Sequence, residues 1–163
     1  MEDINKLKDV MFLAADEAVK LHMNYFEKDF EIGRKRDYSD LVTEVDKKAE
    51  AKIAEIIHSV YPGHNILGEE EGNRNKSSDY QWIVDPIDGT VNYAHSVPVF
   101  CVSIAVEYKG EVILGVVQSA ATGEKFFAEK GKGAYLNGKQ MHVSDIELLK
   151  DSLLVTGFPS SLS

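Results

Sequence analysis

In WIVDPIDGTVNY, Asp85 and Asp88 lie three residues apart, with Pro86 between them and Gly89-Thr90 directly after. Two carboxylates at the end of an apolar run offer hard oxygen donors. If Thr90 begins a short helix, the amides of Gly89 and Thr90 are free donors, and such a helix start binds phosphate. A cation site would then stand beside an anion site. Carboxylates with a backbone carbonyl suit Mg²⁺, which keeps some of its own waters. Soft ligands are absent from the segment, which argues against zinc. Taken alone, D-x-x-D-G-T is more often a plain turn, because Asp, Pro and Gly all favour turns.

Upstream acids add to the pattern. Glu69, Glu70 and Glu71 stand in a row between Gly68 and Gly72, and Asp46 follows Thr43 by three residues. Each has a bland reading, a solvated loop for the first and a helix capping box for the second. An EF-hand loop with Gly89 at its sixth position needs an acid at 84 and Glu at 95, where Val84 and His95 stand. The D-x-D-G-T of haloacid dehalogenase phosphatases has one residue fewer between its acids and lies on an early strand; it stays as a competitor.

These residues need elements to hold them. Ile4, Leu7, Val10, Met11, Ala14, Ala18 and Leu21 draw an apolar stripe that predicts a helix over 2–27. EIGRKRDYSD is polar and aperiodic, and reads as a loop. LVTEVDKKAEAKIAEIIHSVYPG predicts a second helix, opened by Thr43 and Asp46 and ended by Pro62-Gly63, with Val45, Ala49, Ile53, Ile56, Ile57 and Val60 on its buried face. HNILGEEEGNRNKSSDY reads as a short apolar piece and a polar loop. From Gln81 the texture changes to short β-branched or aromatic runs: QWIVDP, FCVSIAVEY, EVILGVVQSA, EKFFAEK and AYLNG. Hairpin turns are signalled at Tyr108-Lys109-Gly110-Glu111 and Ala121-Thr122-Gly123. SLLVTGFP reads as a further strand. Within WIVDPIDGT, the strand is apolar on both faces and so reads as interior, and Pro86 is expected to stop its pairing just after Asp85. The sum is α+β, two helices packed on a mostly antiparallel sheet.

Bulk properties narrow the function. The 163 residues make one domain, or one domain of something longer. Net charge is −9, from 27 acidic and 18 basic residues, which argues against a nucleic-acid backbone as main partner. No apolar run approaches a membrane span, and MEDINKLKDV does not read as a signal peptide. The single cysteine, Cys101, excludes an internal disulfide and fits a reducing cytoplasm. It sits in VPVFCVSIAV and reads as a buried, inert thiol.

The combination of an acid at a helix start, then GEEEG, then WIVDPIDGT resembles the inositol monophosphatase family of Mg²⁺-dependent, Li⁺-sensitive sugar phosphatases. LVTEVDKKAE and GKGAYLNGK also resemble family segments, in matching order. The resemblance covers essentially residues 1–163 and implies the N-terminal half of a layered α/β/α/β/α sandwich. It implies a first Mg²⁺ held by Glu69, Asp85 and the Ile87 carbonyl, a second held by Asp85 and Asp88, and a looser third ion near Glu69 through water. Glu69 and Thr90 would orient the attacking water, Glu70 and Asp46 would polarise Thr90 and nearby waters, and the Gly89 and Thr90 amides would hold the phosphate. Lys35 stands at the position of a family lysine near the metals. Water would attack phosphorus directly, with no aspartyl-phosphate.

The family's second half normally brings a W-D-x-A-A/G-like motif and most of the sugar contacts. Here Trp82, the one tryptophan, is followed by Ile83. The chain is therefore expected to be part of a longer phosphatase, its first half alone, or a naturally short metal- or phosphate-binding regulatory module. The partner implied is a small phosphate ester; inositol 1-phosphate, fructose 1,6-bisphosphate and 3′-phosphoadenosine 5′-phosphate are all used by relatives. A homodimer is implied for the full-length form.

Overall fold

In the computed structural model, residues 2–26, 28, 32–34, 41–70, 72–74 and 77–156 are described. Helix α1 spans Ile4–Tyr25 and α2 spans Glu44–Val60. Both follow the apolar spacing. Leu7, Val10, Met11, Ala14, Ala15 and Ala18 are buried on α1, and Val45, Ala49, Ile53, Ala54, Ile56 and Ile57 on α2. Asp3 caps α1 by accepting from the Asn5 amide. Thr43 and Asp46 form the expected reciprocal capping box on α2.

The strands are β1 (Ile32–Arg34), β2 (Leu41–Thr43), β3 (Asn65–Gly68), β4 (Gly72–Arg74), β5 (Tyr80–Asp88), β6 (Cys101–Tyr108), β7 (Glu111–Gln118), β8 (Lys125–Glu129), β9 (Gly133–Leu136) and β10 (Lys139–Met141). A five-residue helix α3, Thr90–Ala94, follows β5. Eight strands form one sheet in the order β10-β9-β8-β7-β6-β5-β3-β4, and β1 pairs with β2 separately. Every neighbour pair is antiparallel except β3 with β5. The α+β expectation, two helices on a mostly antiparallel sheet, is met.

Alternation sorts the sheet's two faces. Trp82 and Val84 of β5, Val102, Ile104 and Val106 of β6, and Leu114 and Val116 of β7 pack with α1 and α2 into the main core. Burial of apolar side chains of this size stabilises by roughly 1.5–3 kcal/mol each. The other face carries Ile83, Asp85, Ser103 and Ala105, which line a shared cleft. So β5 is interior in strand order, as expected, and among the described residues it is buried on one face and half-buried on the other. A second, smaller core joins Val45, Ile87, Tyr93 and Phe100 below the β5–α3 corner.

Five expectations change. Pairing does not stop at Pro86: β5 continues to Asp88, which partners Cys101 across an irregularity between Asp85 and Asp88. A bulge absorbs the missing proline donor and re-aims the residues after it. The polar segment 31–40 contains β1, and the polar loop after GEE contains β4, both short strands defined by their partners rather than by apolar alternation. SLLVTGFP forms no strand over Ser152–Thr156, and Leu153 and Val155 are each 98% exposed. No described strand flanks them, and an extended segment without a ladder partner is not a strand. Cys101 is half-buried rather than fully buried.

Candidate functional site

The site forms where α2, the β3 turn and the end of β5 meet. Asp46 sits in the first turn of α2, fully buried. Its two oxygens do different work. Oδ2 accepts from the Thr43 backbone amide at 2.8 Å and from the Thr43 hydroxyl, completing the cap. Oδ1 accepts from the Thr90 hydroxyl at 3.0 Å. The capping and functional readings of Asp46 are therefore compatible. Burial raises its pKa, opposed by the bonds from Thr43 and Thr90.

Thr90 Oγ1 also lies 2.9 Å from the Ile87 carbonyl. A hydroxyl has one proton, so it donates to Asp46 or to Ile87 at any moment. Its lone pairs remain able to accept from a third group. Gly89, the N-cap of α3, has φ 97°, a conformation that favours glycine. A Cβ there would also crowd the Val99 carbonyl at 2.9 Å.

Glu69 and Asp85 line one cleft of about 270 Å³ with Leu67, Gly68, Ile83, Val84, Ser103 and Ala105. The register explains the meeting: Gly68 pairs with Val84 across the parallel β3–β5 ladder, and the Glu69 amide donates to the Val84 carbonyl at 3.2 Å. Each chain's next residue is then an acid beside the other. Burial pushes the Asp85 pKa up to about 8, helped by the Glu69 charge and hydrogen bond and by the charges of Asp88 and Asp46. Asp85 Oδ1 is buried with no hydrogen-bond partner among the described residues. A buried, unpaired carboxylate oxygen is costly and points to a ligand.

Asp88 is exposed at the end of β5, with Cys101 Sγ 3.8 Å from its Oδ2. Burial and the Asp88 and Asp85 charges push the Cys101 thiol up to about 11, so it stays protonated at neutral pH. Glu70 follows Glu69 on the turn, and its amide donates to Glu50 Oε2 at 2.7 Å. Lys35 lies outside the described residues.

A divalent ion can be tested against this donor set. Among the described residues no group of three or more His, Cys, Asp or Glu side chains is gathered closely enough to hold a metal. Mg²⁺ does not need one: it binds through one or two carboxylates, waters and substrate phosphate. The Glu69–Asp85 pair, with the orphaned Asp85 oxygen and hard donors only, fits that habit.

Sequence reasoning missed three residues. Glu50 is buried under the Glu69–Glu70 turn; its signal was a charge at the spacing of Asp46, Ile53 and Ile57 on the apolar face of α2. His22 is buried on α1, where its Nε2–H donates to the Pro86 carbonyl at 2.9 Å. The tautomer follows because a carbonyl only accepts. Burial lowers its pKa to about 4, opposed by the Pro86 bond. Tyr93 donates to the His22 carbonyl at 2.7 Å, so α1 braces the acidic turn from below.

The model of the inositol monophosphatase family matches residues 3–162. The chain belongs to the inositol monophosphatase family. It is 46% identical over 127 residues to the Nus factor SuhB of Pseudomonas aeruginosa, covering 76% of this chain and 47% of that one. It is 37% identical over 161 residues to a fructose-1,6-bisphosphatase/inositol-1-monophosphatase of Aquifex aeolicus, covering 98% and 61%. The suhB extragenic suppressor protein of Bartonella henselae superposes with a TM-score of 0.83 at 33% identity, over 86% of this chain and 55% of that one. This family member thus spans about half the length of the relatives it matches. The family fold agrees with the sandwich half expected from the sequence.

Proposed function

We propose that this chain is the N-terminal, metal-binding half of a Mg²⁺-dependent phosphatase that hydrolyses a phosphate monoester with water. The observation that carries the reading is Asp85, a buried carboxylate with an orphaned oxygen, facing Glu69 across the cleft. Converging carboxylates repel one another, and a cation removes the conflict. When bound, Mg²⁺ supplies positive charge that polarises a water and offsets charge on the attacked phosphate.

The protein groups have separate duties. Glu69, Asp85, Asp88 and the Ile87 carbonyl would hold cations. Asp46 orients the Thr90 hydroxyl, leaving its lone pairs to accept a hydrogen bond from the attacking water. Glu69 faces the same water, and Glu70 lies beside it on the turn. The Gly89 and Thr90 amides would hold phosphate oxygens. Water bonds to phosphorus, the ester bond breaks and the alcohol departs. The substrate class follows the family, an inositol phosphate or related sugar phosphate. Among the described residues no helix is long and apolar enough to cross a membrane. A cytoplasmic home remains part of the proposal, supported by the single free cysteine.

A second reading is a regulatory binding module without turnover. It is favoured by the name Nus factor on the 46%-identical relative. Phosphate release from a panel of sugar and nucleotide phosphates, with Mg²⁺, EDTA or added Li⁺, separates the two. Mg²⁺-dependent, Li⁺-sensitive release supports the phosphatase. Mg²⁺ binding with no release on any substrate supports the module.

A further inference from the structure

We infer that Glu50 is a positioning residue for the cation site, holding the Glu69–Glu70 turn against Asp85. The inference rests on the phosphatase reading above. Glu50 is 1% exposed on a helix face otherwise lined by Ala49, Ile53, Ala54 and Ile57. A carboxylate there is expensive to bury unless it is hydrogen-bonded. Its Oε2 accepts the Glu70 amide at 2.7 Å, a charge-assisted bond of the stronger kind. Directly above it, Gly68 has no side chain, and a Cβ on Gly68 would overlap the Glu50 carboxylate. So β3 closes down onto Glu50 as far as a backbone can.

The consequence reaches Glu69. Its own amide is tied to the Val84 carbonyl at 3.2 Å, one residue before Asp85. The next amide, that of Glu70, is tied to Glu50. Two successive amides of the turn are thus clamped from opposite sides, one by β5 and one by α2. Glu69 is presented to Asp85 in a set direction without Glu50 touching any ligand. Asp46 lies one helical turn before Glu50 on the same face. A single turn of α2 therefore orients both arms of the site, Thr90 through Asp46 and Glu69 through Glu50.

The test is Mg²⁺ titration of the chain by calorimetry, with circular dichroism to establish folding. Glu50→Ala and Gly68→Ala should each weaken Mg²⁺ affinity about 10–100-fold, the range for losing a partner that orients a metal ligand. Glu50→Gln keeps the length and an acceptor for the Glu70 amide, and should stay within about 3-fold, since only the charge assistance is lost. Gly68→Ala should cost less in the Glu50→Ala background, where the overlapping carboxylate is gone. A purely structural role would lower stability while leaving Mg²⁺ affinity of the folded protein unchanged. Unchanged affinity in folded Glu50→Ala overturns the inference and leaves the phosphatase reading standing. No Mg²⁺ binding by the unaltered chain overturns both. If Glu50→Ala does not fold, Glu50→Asp decides against Glu50→Gln: the shorter Asp cannot reach the Glu70 amide and should show the loss, and equal affinities overturn the inference.

Discussion

The two ends of β5 are built on opposite terms. At its start, His64 is sandwiched between Tyr61 and Tyr80, with ring centroids 4.5 and 4.6 Å away and planes within 10°. Trp82 Nε1–H donates to His64 Nδ1 at 3.1 Å, which places the His64 proton on Nε2. Five residues on from Tyr80, at Asp85, the strand reaches the acidic corner. There each leading influence on Asp85 pushes the same way, toward protonation. One end is held by stacked rings and the Trp82–His64 bond, with the Tyr61 hydroxyl as a neutral orphan, and serves stability. The other keeps an electrostatic conflict that a cation would relieve. A site that binds charge has to be left incomplete by the protein itself.

Variants can break or sharpen that contrast. Asp85→Asn should abolish phosphate release and Mg²⁺ binding while leaving the fold intact, because it removes the charge that both repels its neighbours and attracts the cation; normal turnover in this variant would sink the assignment. Thr90→Val should lower turnover by about 10²-fold or more, the lower range for losing a proton-handling group, while Thr90→Ser retains most of it. At the other end, His64→Ala removes two stacked contacts and strands the Trp82 N–H. Urea unfolding should then show a loss of about 3 kcal/mol, with Mg²⁺ affinity unaltered.

The pH dependence of stability separates the ends further. Asp85 binds its proton more tightly folded, near pH 8, than unfolded, near 3.8. Its contribution is present at low pH and lost as pH rises toward 8. His22 has the reverse sign, with a folded pKa of about 4 against 6.5, so its contribution is lost as pH falls from 6.5 toward 4. Between pH 6.5 and 8, the cation-free chain should lose stability as pH rises. Mg²⁺ or Asp85→Asn should flatten that slope, and thermal melts across the range would show it. The smallest effect belongs to a pair away from both ends. Lys125 lies 2.7 Å from Asp16 and over the Phe12 ring. Lys125→Ala should cost no more than about 1 kcal/mol.

Much of this architecture was legible before folding. The helices announced themselves by spacing, since an apolar stripe at helical period has one way to be buried. The hairpins of β6, β7, β8 and β9 showed in alternation and glycine turns. β1, β2 and β4 did not, because three-residue strands are too short for a pattern and exist only by virtue of their partners. The continuation of β5 through Pro86 was hidden for a related reason: a bulge is a property of two strands, and β6 supplies the second. Among the site residues, the types and order of Asp46, Glu69, Asp85, Asp88 and Thr90 carried the chemistry. Nothing in that order said that Asp46 would use one oxygen for its helix and the other for Thr90.

By itself, then, the sequence determined which donors are present, that they are hard, and which helices and hairpins must carry them, because these follow from local composition and period. Only the tertiary structure decided that Glu69 meets Asp85, through the parallel register of Gly68 with Val84. It alone set Glu50 beneath the turn and His22 beneath Pro86. Those contacts join residues 20 to 64 positions apart, and no local pattern reports where two distant segments will close on each other.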